Sequence, residues 1–184
     1  MNKRVYKITL TALMAALCYV VFTFLQVKIP TPAGYTSFHL GNVFCVIAAL
    51  MIDGVSGGIA GAIGMGIADL LDPVYVVTAP KTIILKFMIG FVTGSVAHKI
   101  FKIDEKENIT KEVIISISAG MFFNVFAEPL FSYFYYNIIL NNSDKAASYL
   151  TLAKWATTSV NAILTIIIGS ILYLTIRKRI RINK

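Results

Sequence analysis

Charge is scarce in this 184-residue chain: Asp, Glu, Lys and Arg together make 14% of it. That is too little to cover the surface of a soluble domain. Arginine is confined to position 4 and to positions 177, 179 and 181, so a strongly anionic ligand inside the chain would lack its usual bidentate partner. There are two cysteines, Cys18 and Cys45, both in apolar runs without metal-ligand spacing, and they read as packing residues. The Gly-Lys-Ser/Thr ending of a phosphate loop is missing, so any nucleotide use belongs to partners. His-Glu-x-x-His is absent too, and no Ser/His or Cys/His pair falls at one depth, which argues against metalloprotease and hydrolase chemistry. No catalytic residue, metal ligand or cofactor is assigned, and no nucleic-acid partner is expected. No internal repeat or low-complexity tract occurs.

What is abundant is apolar. Hydrophobic residues make 57% of the chain and the mean hydropathy is +0.75, the composition of an integral membrane protein. The reading is an all-α integral membrane protein, a bundle of six transmembrane helices with structured external loops, in one membrane domain over 1–184. The spans are expected at about 8–26, 41–52, 55–71, 82–101, 113–140 and 155–176, the second being short and borrowing residues from the loop before it. The basic, then apolar start resembles a signal peptide, but no small-residue cleavage site precedes Lys28, and a retained first span is expected. An even span count puts both termini on one side. Of the 17 Lys and Arg residues, all but Lys28, Lys81, Lys86, Lys145 and Lys154 fall on that side, so both termini are expected in the cytoplasm.

The stretch 54–69 organises the bundle. At helical spacing Gly54, Gly58, Ala62 and Gly66 form one stripe, and Ala60, Gly64 and Ala68 a second. In water each glycine costs a helix roughly 1 kcal/mol against alanine, whereas in lipid small residues allow helices to approach closely. This segment is expected at the bundle centre, with Asp69 at its far end. The external connections are turn-rich: 26–39 carries two prolines and a glycine in its centre and suits a folded hairpin or lid, 71–80 has the same character, and 141–154 is polar.

Ionisable groups inside a membrane are costly and mark function by default. Here they crowd toward the external ends: Asp69, Lys81, Lys86 and Glu128, with Asn124 one turn from Glu128 and Asn161 in the last span. His39 and Asn42 open the second span, and Tyr35, Tyr75, Tyr133 and Trp155 add aromatic faces. Competing readings stand beside this one. Lys86 neutralises Asp69 or Glu128 structurally, Trp155 and the tyrosines anchor the interface, and His39 is a loop residue rather than a metal ligand. A small channel, a structural membrane protein and an acid–base enzyme built on His39, Asp69 and Glu128 are the alternative classes. The gathering of costly groups at one depth beneath long loops favours an outward-facing pocket.

Several runs are similar to those of a known family. They are Ile8-Thr-Leu-Thr-Ala-Leu-Met-Ala-Ala16, Lys28-Ile-Pro-Thr-Pro with Gly34-Tyr35, and His39-Leu-Gly-Asn42, followed by Gly58-Ile-Ala-Gly-Ala-Ile-Gly64, Ala68-Asp69-Leu70, and Lys86 with Gly90. Over about 5–100 the chain resembles the substrate-binding S components of energy-coupling factor (ECF) transporters, best the riboflavin-type group that also includes pyridoxine and hydroxymethylpyrimidine proteins. The resemblance implies a multi-pass protein of the plasma membrane that captures a vitamin from outside. It also implies partners: a transmembrane T component, two cytoplasmic ATPases and the lipid bilayer. The family's Ala-x-x-x-Ala contact for the T component falls on Ala12 and Ala16. The substrate-binding residues expected are Tyr35 and His39 as lid, Asn42, Tyr75, Asn124, Glu128 and Asn161, Trp155 stacking on a ring, Lys86 setting charge, and Asp69, which either binds ligand or locks two spans together. A small heteroaromatic vitamin or precursor is favoured, pyridoxine- or hydroxymethylpyrimidine-like, with riboflavin next.

Overall fold

A computed structural model describes residues 2–182, with side chains to Arg179. Six helices and one hairpin follow in order: α1 (Lys3–Phe24), β1 (Gln26–Thr31), β2 (Gly34–His39), α2 (Gly41–Met51), α3 (Gly54–Leu71), α4 (Ala79–Ser95), α5 (Thr110–Phe134) and α6 (Asp144–Ile182). Single π turns extend α4 over Val96–Ile100 and α5 over Tyr135–Ile139. Five of these helical segments are long and apolar enough to cross a membrane; α2 is the exception. Its 11 residues reach only about 16 Å at 1.5 Å each, against a hydrocarbon core of about 30 Å. The residues before it do not lengthen it as a helix, because they form β2.

Two further expectations are corrected. The external connection placed at 141–154 is mostly helix, since α6 begins at Asp144. Its predicted start at Trp155 followed hydropathy, and the polar residues ahead of it were misread as loop. The loop at 26–39 is an antiparallel hairpin paired from Gln26↔His39 to Thr31↔Gly34. A two-residue turn, Pro32-Ala33, closes it, and Gly34 takes φ +151°, a conformation that glycine adopts without strain. Among the described residues the regular structure is therefore helical apart from this one small sheet.

The glycine-rich α3 is central, packed on α1, α2 and α4. Its approach to α4 is backbone to backbone. A Cβ on Gly90 would lie 2.3 Å from the Gly57 carbonyl carbon and from the Gly58 nitrogen. On the other side of α3, a Cβ on Gly64 would lie 2.3 Å from the Ala15 carbonyl oxygen in α1. With no water to drive helices together, such close van der Waals contact is what holds them. The large residues of α3 that point away, Val55, Ile59, Ile63 and Ile67, are exposed on its outer face.

The end opposite the hairpin is closed by polar ties. Asp53 caps α3 through the Ser56 amide (2.8 Å) and pairs with Lys7 of α1 (2.5 Å). His98 links the Ala49 carbonyl (2.9 Å) and Asp104 (2.7 Å). Arg177 of α6 donates to the carbonyls of Ile103 and Lys106, both at 2.8 Å.

Gly90→Ala is expected to destabilise the protein by about 1–3 kcal/mol, the range for overpacking, because the added methyl meets backbone. Thermal unfolding in detergent checks this: the melting temperature drops by several degrees, while Ile114→Ala on an exposed face leaves it unchanged.

Candidate substrate-binding site

Beneath the hairpin lies a narrow cavity with about 50 Å³ of free space. Its walls come from α1, β2, α2, α3, α4, α5 and α6 and from the segment between α3 and α4. Three helices contribute faces legible as spacing. In α4 the positions are 78 (just before it), 81, 82 and 86; in α5 they are 124 and 128; in α6 they are 154, 157, 158 and 161. Offsets of three, four and seven or eight residues put each set on one side of its helix.

The centre of the polar network is Glu128. Its Oε1 accepts from Lys81 Nζ at 2.5 Å and from Lys154 Nζ at 3.1 Å. Lys81 also donates to Ser132 Oγ at 3.0 Å. One carboxylate thus ties α4, α5 and α6 together in a region where breaking a buried pair costs about 3–5 kcal/mol. The roof is latched separately. Asn161 Oδ1 accepts from the His39 amide and its Nδ2 donates to the Ser37 carbonyl, both at 3.0 Å. Thr36 and Thr157 share a hydroxyl contact of 2.6 Å, and Tyr75 OH donates to the Thr36 carbonyl at 3.3 Å. On the outside Lys28 pairs with Asp72 at 2.5 Å. The His39 ring meets Phe22 edge-on at 4.7 Å.

Several wall atoms have nothing to bond. Both amide atoms of Asn42, Oδ1 of Asn124, Oδ1 of Asp69 and Nδ1 of His39 are buried without a hydrogen-bond partner. Asn42 is 1% exposed and Asn124 2%. Leaving one such group unsatisfied costs roughly 1–3 kcal/mol, and here four residues bear that cost around one cavity.

The model of the family described as "ECF-type riboflavin transporter, S component" matches residues 2–178. The chain belongs to this family. It is an S component of an ECF vitamin transporter, a substrate-binding subunit rather than an enzyme, integral to the plasma membrane. No curated protein matches it by sequence. Solved structures share its fold. ThiT from Listeria monocytogenes superposes with TM-score 0.67 at 19% identity, covering 96% of this chain and 98% of that one. The S component for biotin from an ECF-type ABC transporter gives TM-score 0.62 at 21% identity, over 93% and 92%. A third, the S component of a bacterial ECF transporter, gives 0.56 at 16% identity over 97% of both chains.

Of the residues expected from sequence, the S component brings His39, Asn42, Asp69, Tyr75, Lys86, Asn124, Glu128 and Asn161 to one cavity. Tyr35 and Trp155 are not among its walls. Tyr35 is 39% exposed on the hairpin. Trp155 is 49% exposed and stands edge-on to Phe126 at 6.2 Å, because Lys154, its neighbour in α6, takes the inward direction. In the competing reading Lys86 neutralises Asp69 or Glu128; in the structure the close ion pairs to Glu128 come from Lys81 and Lys154. Asn161 uses its amide on the hairpin backbone rather than leaving it free. Lys154, Thr157 and Thr158 were missed as wall residues, although their spacing with Asn161 in an apolar helix was visible in the sequence. Ala12 and Ala16 lie elsewhere, in an apolar groove of about 850 Å³ between α1 and α3 with Ile59, Ile63 and Ile67.

Asn161→Ala removes both amide bonds to β2. Hydrogen exchange of the S component in detergent is expected to speed up over 34–39 with α3 unchanged; equal protection in both proteins would mean that the threonine and tyrosine contacts hold the roof alone.

Proposed function

We propose that this cavity is where the S component captures its substrate from the outside, a small heteroaromatic vitamin or precursor of pyridoxine-like or hydroxymethylpyrimidine-like build, with riboflavin next. The unsatisfied buried atoms of Asn42, Asp69 and Asn124 carry this reading: they suit the edge of a polar ring, which would supply the missing donors and acceptors. Tyr75 and Phe22 offer the aromatic surface that the sequence suggests for Trp155. The hairpin is the lid, and release of its Asn161 and Thr157 bonds opens the way in.

Six crossings with both termini cytoplasmic complete the proposal. The hairpin and α2 together make up the depth that α2 alone does not reach, and the basic residues at both ends of the chain favour the cytoplasmic side. Transport then depends on a T component and two ATPases. The T component docks at Ala12 and Ala16, whose small side chains leave the groove between α1 and α3 open to a partner helix.

Native mass spectrometry of protein purified from rich medium tests capture: one equivalent of a small vitamin is expected, and Asn124→Ala should lower its affinity at least about tenfold, as for loss of a buried hydrogen bond. Wild-type affinity in that variant would move the site elsewhere. Ala12→Trp is expected to keep ligand binding in detergent and abolish uptake in cells that contain the partners. Loss of binding would instead make Ala12 a packing residue.

A further inference from the structure

The charge lining the cavity does not balance, and the imbalance bears on the substrate. Three ammonium groups, Lys81, Lys86 and Lys154, face two carboxylates, Asp69 and Glu128. Glu128 is shared between Lys81 and Lys154. Lys86 is 5% exposed; among the described residues its Nζ stands in no hydrogen bond or close ion pair, and the Glu128 and Asp69 carboxylates act on it only through space, while Asp69 Oδ1 is buried without a hydrogen-bond partner. An excess charge at this depth costs several kcal/mol, so what the site lacks is one negative charge. It does not lack two or three: no arginine fork is present, and a lysine recognises an anion as a point charge. The orphaned oxygens of Asp69 and Asn124 require something else, namely hydrogen-bond donors.

Taking the cavity as the substrate site, we propose that the substrate is a monoanion: a single heteroaromatic ring bearing one carboxylate, which meets Lys86, and a hydroxyl or N–H group, which satisfies Asp69 and Asn124. This narrows the function proposed above: within the same small-ring build it favours a carboxylate-bearing relative over pyridoxine or hydroxymethylpyrimidine themselves, and it disfavours riboflavin and cationic rings. Lys86 is the specificity-determining residue.

The test uses the full chain in detergent, by isothermal titration, with matched probes: nicotinate against nicotinamide and 4-pyridoxate against pyridoxine, with thiamine as a cation and riboflavin as a large neutral ring. The acid of at least one pair is expected to bind at least tenfold more tightly than its neutral partner. Lys86→Gln should erase that preference, and Lys86→Arg should retain it. Equal or tighter binding of the neutral partner, preference for thiamine or riboflavin, or no binding by any probe overturns the monoanion. If a neutral or cationic probe wins and Asn124→Ala weakens it, the cavity stands and only its charge selectivity fails. If a probe binds and neither Asn124→Ala nor Lys86→Gln changes its affinity, the cavity itself is the wrong site.

Discussion

Backbone contact between α3 and α4 is the constraint on which the rest of the S component depends. Where Gly90 meets Gly57 and Gly58, there is no room for a single methyl group. The same approach recurs where Gly94 meets Gly54. Two helices held this closely fix each other's rotation, because turning either one would drive a side chain into backbone. Asp69 at the end of α3 and the 81, 82 and 86 positions of α4 are thereby aimed at the same space. The large apolar residues of α3 are left exposed on its outer face.

The cavity has a division of labour that follows from how its polar groups are satisfied. One set is bonded within the protein: Glu128 with its two lysines, and Asn161 with the hairpin backbone. These groups hold three helices and the roof in place. A second set, Asn42, Asp69 and Asn124, lines the cavity with buried side-chain atoms that have no hydrogen-bond partner. A network satisfied in one half and vacant in the other is costly as a core, and is what a site preorganised for a polar ligand requires.

Much of this was legible in the sequence. The helical class, the small-residue stripe of α3 and the polar gathering of Asp69, Lys86, Asn124 and Glu128 follow from composition and from a period of 3.6 residues. The hairpin at 26–39 was foreshadowed by Pro30, Pro32 and Gly34, whose backbones suit a strand edge and a tight turn. Two expectations differ from the structure, each for its own reason. Hydropathy marks where a helix enters lipid, not where it begins, so the polar first turns of α6 passed for loop and Lys154 was taken out of the site. Trp155 was judged by residue type, but a neighbour of an inward residue on a helix points some 100° away.

Sequence alone determined the class of the molecule and which residues are costly to bury, because hydrophobicity, charge and helical spacing are local properties of the chain. Tertiary structure decided which of those residues face each other. That Lys81 and Lys154 share Glu128 and that Asn161 latches β2 depend on contacts between positions 26 to 124 residues apart. Such pairings are set by how closely helices can approach, which is why the glycines of α3 and α4 decide the site without lining it.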